Sequence, residues 1–227
     1  ADYNAKQDVT EVYAEANLPL LKNAPLVQDA SLLAAVRQTQ YKFDGFGGAN
    51  QAAASNKFDA TAWKVGLLWD VTDWARLRVT HSQDIRAPNF NELFQASASN
   101  FTSYLNPWAN NVSQFPAGLS GGNPNLNPEE AHTTTYGLVL QPSWDSFGRV
   151  RFSADYYDIK VNGYIAAPGG QNILDRCYKF SEANFCNLIT FAADASGNPK
   201  GVLTEIRNVN VNLQWLRTRG LDLEADY

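Results

Sequence analysis

Trp63-Lys64-Val65-Gly66-Leu67-Leu68-Trp69-Asp70 sets Trp63, Val65, Leu67 and Trp69 in one phase and Lys64, Gly66, Leu68 and Asp70 in the other. A period of two is that of a β-strand with two unlike faces. Both charges of the stretch fall in one phase and both tryptophans in the other. The same alternation recurs along the chain. Val12, Ala14, Ala16 and Leu18 alternate with Glu11, Tyr13, Glu15 and Asn17, and Leu32, Ala34 and Val36 lie opposite Arg37. Leu77 and Val79 stand among Arg76, Arg78 and Thr80, and Tyr136, Leu138 and Leu140 alternate with Thr135, Gly137 and Val139. Val150, Phe152, Ala154 and Tyr156 alternate with Arg151, Ser153, Asp155 and Tyr157; Leu221, Leu223, Ala225 and Tyr227 alternate with Gly220, Asp222, Glu224 and Asp226. Within these seven segments every charge keeps to one phase. Beyond their ends Asp59, Asp158 and Arg219 fall in the apolar phase.

The connections between segments are unequal. Residues 19–28, 72–73 and 142–148 read as short turns, whereas 42–57, 85–131 and 161–213 read as long loops, so short and long alternate. A transmembrane β-barrel has this asymmetry, short turns at one rim and long loops at the other. Soluble sheets have no reason to gather all their long loops at one end, and loops above about 15 residues are uncommon in compact domains. Trp69 and Trp144 are expected near the short-turn rim, with Trp63 and Tyr156 nearer the other, as in aromatic girdles.

The composition agrees. The 227 residues are 44% hydrophobic, 18% charged and 12% aromatic, too apolar for a disordered chain. Mean hydropathy is −0.34, which a barrel shares with soluble proteins because lumen-facing and lipid-facing residues alternate. No apolar run is long enough for a transmembrane helix. Net charge is −5 and no Lys/Arg cluster occurs, so the electrostatic footprint of a nucleic-acid binder is missing. Two cysteines, Cys177 and Cys186, lie in a loop-like stretch far from both histidines; a disulfide is favoured over two free thiols and implies an oxidising location. Seven strands do not close a bacterial barrel, which has an even number from eight upward, and an open edge in lipid leaves backbone groups unpaired. The fold expected is therefore an all-β antiparallel barrel segment, residues 1–227, belonging to a larger barrel.

Candidate chemistry is sparse. His81 and Ser82 adjoin, but neighbours on a strand point to opposite faces and cannot form a nucleophile–base pair. Glu129-Glu130 read as a solvated pair after a proline turn, and Asp222, Glu224 and Asp226 as solvated lumen charges or, less readily, a cation site. No catalytic set, metal site or cofactor is expected. In the loop after the fourth segment, Pro88 stops the strand. Asn89 and Glu92 then have the spacing of a capping box ahead of Leu93 and Phe94. The Asn/Pro alternation of residues 123–128 favours a series of turns.

Together, IRAPNFNELF (85–94), GNPNLNPE (122–129), TTTYGL (133–138), FSADYYDIKVNGYI (152–165) and LRTRGLDLEADY (216–227) resemble the TonB-dependent outer-membrane receptor family over most of residues 9–227. The resemblance implies the later half of a twenty-two-stranded barrel in the bacterial outer membrane, with neither the plug nor the TonB box in this sequence. It implies an extracellular small-molecule nutrient (siderophore, cobalamin, heme or oligosaccharide) as ligand, outer-membrane lipid as surroundings, and the TonB energy-coupling complex, engaged through an N-terminal region, as partner. The loop aromatics Phe101, Tyr104, Trp108 and Phe115 are candidates to stack on such a ligand, against the alternative that they pack among the loops. A passive porin is the runner-up reading.

Overall fold

The computed structural model describes residues 4–48, 50, 52–144 and 148–227. Seven long strands form one antiparallel sheet in chain order: β1 (Asn4–Ala24), β2 (Val27–Gly47), β3 (Ala52–Thr72), β4 (Ala75–Arg86), β5 (Glu129–Leu140), β6 (Arg151–Asn162) and β7 (Trp215–Asp226). The sheet is open in this stretch, β1 and β7 being its edges. Pro25 and Leu26 turn β1 into β2, and Asp73 and Trp74 turn β3 into β4. The tip of the third short turn, residues 145–147, lies outside the described residues, as do Ala1 and the side chain of Trp144.

The register explains the alternation. Leu18, Leu32, Leu67, Val79, Tyr136, Tyr156 and Leu221 form one continuous rung across all seven strands. These residues and those in phase with them face outward. Many stay exposed, with Val12 at 66%, Tyr136 at 52% and Leu223 at 73% relative accessibility, and others, such as Leu32 and Leu67, are half-buried. Water would penalise so broad an apolar face, whereas lipid matches it. The opposite face carries the charges. There Arg76 bonds Asp70 (2.5 and 2.9 Å), and Arg78 bonds Asp155 through two hydrogen bonds (2.9 and 2.5 Å).

The upper border of the apolar face does not follow the rungs. It lies at Val12 on β1, Val36 on β2 and Trp63 on β3, but at Val79, Tyr136, Tyr156 and Leu221 on β4 to β7. Leu221 shares its rung with Leu18, so the border on β1 stands six residues higher, at Val12. Six residues rise about 20 Å, and six strand spacings cover about 29 Å, which gives a tilt of about 35°. That is the strand tilt of a transmembrane barrel.

Above the border the pattern inverts. On β2 and β3 the outward residues become Gln40, Lys42, Asp44, Lys57 and Asp59, and the inward ones become Tyr41, Phe43 and Phe58. On β6 and β7 Asp158, Lys160, Arg217 and Arg219 turn outward while Ile159, Val161 and Leu216 turn inward. This inversion places Asp59, Asp158 and Arg219 in the apolar phase. It also corrects the reading of residues 42–57 as a long loop. Most of that stretch is the tops of β2, which runs to Gly47, and β3, which starts at Ala52.

Gly137 lies between Arg78 and Asp155 on one rung. The ion pair spans two strand spacings by passing over it, and an added Cβ would strike both partners. Gly137→Ala is therefore expected to cost about 1–3 kcal/mol by overpacking. The loss is read as a lower temperature for the heat-induced change in electrophoretic mobility of the folded barrel. Most of that loss should vanish when Arg78 is already alanine; an equal loss in both backgrounds would contradict the crossing.

Candidate functional site

The two long connections, residues 87–128 and 163–214, fold into one assembly over the long-loop rim. The first begins with α1 (Phe90–Phe94), whose capping box forms as the spacing suggested: Asn89 Oδ1 accepts from Glu92 N (2.9 Å) and Glu92 Oε2 from Asn89 N (2.8 Å). Helix α1 is too short to stand alone, so packing must hold it. Leu93 and Phe94 are fully buried with Phe43, Leu126 and Ile165. Phe94 lies against β2 where Gly45 and Gly47 leave the strand bare, and any Cβ there would meet its ring or its backbone. The loop is thus pinned to the inner side of the strand tops.

Arg86, the last residue of β4, joins the pieces. It donates to Glu129 (2.7 and 2.8 Å) at the start of β5 and to Glu92 (two bonds of 3.0 Å) on α1. Glu129 also accepts from Ile165 N (2.7 Å), the entry to the second loop. The reading of Glu129 as solvated is corrected: its side chain is 9% exposed and fully engaged. Nothing near Glu129 in sequence announces this role, because its partner stands 43 positions upstream.

The second loop contributes α2 (Gly170–Phe180) and α3 (Ala183–Cys186). Ile173, Leu174 and Cys177 line one face of α2 and pack with Phe185, Leu203 and Ile206 into a core of their own. Cys177 and Cys186 are joined by a disulfide linking the two helices. Segments Ile189–Ala192, Val202–Arg207, Ala117–Ser120 and Ala98–Phe101 form a four-stranded sheet in that order. Its parallel step, Glu205–Arg207 beside Ala117–Leu119, fuses the two loops.

Side-chain amides complete the joint by acting as backbone partners. Gln171 exchanges two hydrogen bonds with the backbone of Leu105 (2.9 and 3.1 Å). Buried Asn106 donates to the carbonyls of Lys200 (3.1 Å) and Gly201 (3.3 Å). Asn212 bonds both backbone groups of Asn127 (2.9 Å each) and the carbonyl of Gly163 (2.8 Å). The turn at 194–198 closes on Asp194, whose carboxyl is held below the usual range by the Ser196 hydroxyl and the N–H of Asn198.

The four candidate aromatics separate. Tyr104 and Trp108 pack against the loop core. Trp108 meets Tyr178 and Phe191 edge-on (5.2 and 5.0 Å), with the Lys200 ammonium 4.9 Å from its ring centre. Phe101 and Phe115 are 76% and 68% exposed. Their hairpin keeps one register from Ala98–Ser120 to Asn106–Val112, so Phe101, Leu105 and Phe115 share a phase that turns away from the core. His81 bonds Thr134 on the outer face (2.9 Å) and Ser82 bonds Asp84 on the inner one (2.9 Å), which separates them as expected. Asp222, Glu224 and Asp226 line the inner face of β7, and no metal-binding group of three His, Cys, Asp or Glu occurs among the described residues.

Replacing Arg86 leaves the buried Glu129 and the half-buried Glu92 without their cation, and an unpaired buried group such as Glu129 costs about 1–3 kcal/mol. Arg86→Gln is expected to free the 87–128 loop without unfolding the sheet. Chymotrypsin should then cut between Phe94 and Phe115 at least several-fold faster than in the parent; unchanged cleavage would show that the apolar anchor holds the loop alone.

With this geometry in hand, comparisons with known proteins converge. The family profile described as TonB dependent receptor-like, beta-barrel, matches residues 1–227. The chain is 26% identical over 227 residues to "Heme/hemopexin utilization protein C" of Haemophilus influenzae, covering 99% of this chain and 28% of that protein. It is 25% identical over 187 residues to the "Hemin receptor" of Yersinia pestis, covering 82% of this chain and 25% of that protein. The chain thus spans about a quarter of the length of these relatives. Among solved structures it superimposes on the hemophore receptor HasR of Serratia marcescens, solved with its hemophore HasA and heme. There the TM-score is 0.55 at 16% identity, over 97% of this chain and 32% of that one. The ferric enterobactin receptor of Pseudomonas aeruginosa gives a TM-score of 0.51 at 14% identity, over 96% of this chain and 33% of that one. Register, tilt, inward-anchored loops and the match over residues 1–227 agree: the chain belongs to the β-barrel family of the TonB-dependent receptors, proteins of the bacterial outer membrane.

Proposed function

We propose that this chain is the wall and loop portion of a receptor that captures a heme-type iron source at the cell surface and imports it with energy relayed through TonB. The observation that carries the reading is the outward hairpin of the loop assembly. From Leu93 to Pro128 the chain holds no Asp, Glu, Lys or Arg, and it exposes Phe101 and Phe115. A neutral, aromatic surface on a braced scaffold suits a flat, largely apolar macrocycle, whose ring stacks on aromatic faces. It suits a highly charged ligand poorly. The names of the relatives support the same class.

The side chains that ligate heme iron in proteins are His, Cys, Met and Tyr. The chain has no Met, its two cysteines are joined, and its two histidines stand on β4 and β5 rather than in the loops. From this stretch tyrosine is therefore the available ligand type, with Tyr164 and Tyr178 exposed in the second loop. The inward docking of Phe94 on β2 draws the first loop across the lumen side of the strand tops, which supports a gated receptor over an open passive channel.

The test is growth of an iron-starved Gram-negative host, lacking heme uptake of its own, that expresses the full receptor containing this chain. Hemin should restore growth only when TonB is present, and Phe101→Ala with Phe115→Ala should raise the hemin concentration required by about tenfold, the effect of losing two stacking contacts of about 0.5–1.5 kcal/mol each. Rescue by a ferric catecholate but not by hemin would overturn the heme class. Rescue without TonB would overturn energised import.

A further inference from the structure

The second loop supplies a cation to the face that carries an exposed aromatic of the first. In the four-stranded loop sheet Ile206 is fully buried in the loop core, so Glu205 and Arg207 beside it point the other way. Arg207 shares a rung with Leu119 and Ser99, and Glu205 with Ala117 and Phe101. Paired residues lie on one face of a sheet, so Arg207, Glu205 and Phe101 face the same side. Two strand spacings and two residues separate Arg207 from Phe101, about 12 Å between Cα atoms. The strand between them presents Ala117 and Leu119 on that face, without charge.

Arg207 also stands in the wall of a cavity of about 500 Å³ between the two loops. It is the one charged side chain among the described residues that line the cavity, and seven of the others are asparagines. Asn125, Asn127, Asn184 and Asn187 are exposed, and their side-chain amides take no hydrogen bond from the protein among the described residues. Asn212, in the same wall, differs: its amide is bonded to backbone on both sides. Arg207 keeps donors in hand as well. Its Nη2 donates to Asn50 Oδ1, and its Nε is buried without an acceptor among the described residues. Glu205 lies 3.7 Å away, beyond hydrogen-bond reach. A guanidinium carries its N–H donors in a fixed fork, so room remains for a bidentate acid.

We propose that Arg207 and these amides bind the carboxylate groups of the ligand while its ring lies on the Phe101 face. The inference rests on the heme reading and adds the polar half of the ligand to it. A heme macrocycle is apolar over its faces and carries two propionate carboxylates on one edge. The first loop holds no charge from Leu93 to Pro128, so it suits the ring and gives the acids no partner. Arg207 supplies that partner within the span of a macrocycle whose acid edge is turned toward it. Carboxylate on guanidinium is a charge-assisted, forked contact, and amide N–H groups suit the remaining lone pairs. The other cations of the second loop are placed elsewhere. Arg176 pairs with Glu182, Lys200 lies over the Trp108 ring, and Lys179 belongs to α2.

The experiment is an absorbance titration of the full receptor in mild detergent with hemin and with hemin whose two propionates are methyl esters. The parent should bind hemin about tenfold more tightly than the diester, because only the free acids can use the guanidinium. Arg207→Gln should lower hemin affinity by about tenfold, the effect of losing a charge-assisted hydrogen bond, and leave the diester unchanged. Glu205→Gln removes the neighbouring anion and should raise hemin affinity, which a mere loss of loop order does not do. Phe101→Ala should weaken both probes alike, since the ring is common to them. Equal binding of the two probes by the parent, or an equal loss of both in Arg207→Gln, would overturn the carboxylate site and leave the heme reading standing, as would a fall in hemin affinity with Glu205→Gln. Failure of the parent to bind either probe would overturn both.

Discussion

Water ends at the hydrocarbon edge, and the pattern of this chain follows that boundary. Below it the outward side chains must be apolar and every backbone group must be paired, because lipid offers neither hydrogen bonds nor solvation of charge. Above it the outer face meets headgroups and water, so polar side chains belong there and apolar ones turn inward. β2 makes both statements within one strand: Leu32, Ala34 and Val36 face out, and a few residues on, Tyr41 and Phe43 face in. Along β2 the period of two is kept. Only the side that must be apolar changes.

That inversion is also what the loops are built on. The inward aromatics of β2 and β3 offer a dry surface at the rim, and Leu93 and Phe94 close over it. Arg86 then ties α1 to the start of β5, and Glu129 there accepts from Ile165 N of the second loop, so the three form one unit. Beyond it the loops share a sheet and an amide-rich joint, with a disulfide inside the second loop. The result is a braced platform that holds Phe101 and Phe115 away from its own core. Such bracing lowers the entropy lost when a ligand is captured. It also separates the chain's surfaces by chemistry: aromatic and neutral at the hairpin, charged in the lumen, and of mixed charge on the outer face above the apolar border.

Much of the wall was legible in the alternation, because lipid imposes one rule on every strand. The capping box of α1 was legible as well, since Asn89 and Glu92 interact within one turn. The misreadings share a cause. Residues 42–57 read as a loop if one apolar phase holds throughout, but at Tyr41, Phe43 and Phe58 that phase has reversed. Glu129 looked solvated because its partner Arg86 is distant in sequence. Tyr104 and Trp108 could not be told from Phe101 and Phe115, because composition does not say which side of a hairpin meets a core. Helix α2 carried its own signal, Ile173, Leu174 and Cys177 at helical spacing, but it lay in a stretch read only as loop.

The tilted border between lipid and water can be tested directly on one rung. Ala14, Val36, Trp63, Gln83, His132, Lys160 and Arg217 are in continuous register. An untilted sheet would hold them at one depth. Nitroxide labels on Ala14→Cys and on His132→Cys, in the full receptor reconstituted into vesicles, report collision with oxygen in lipid or with a nickel chelate in water. The account predicts an oxygen-accessible, chelate-protected label at position 14 and the reverse at position 132. The same environment at both positions would contradict it.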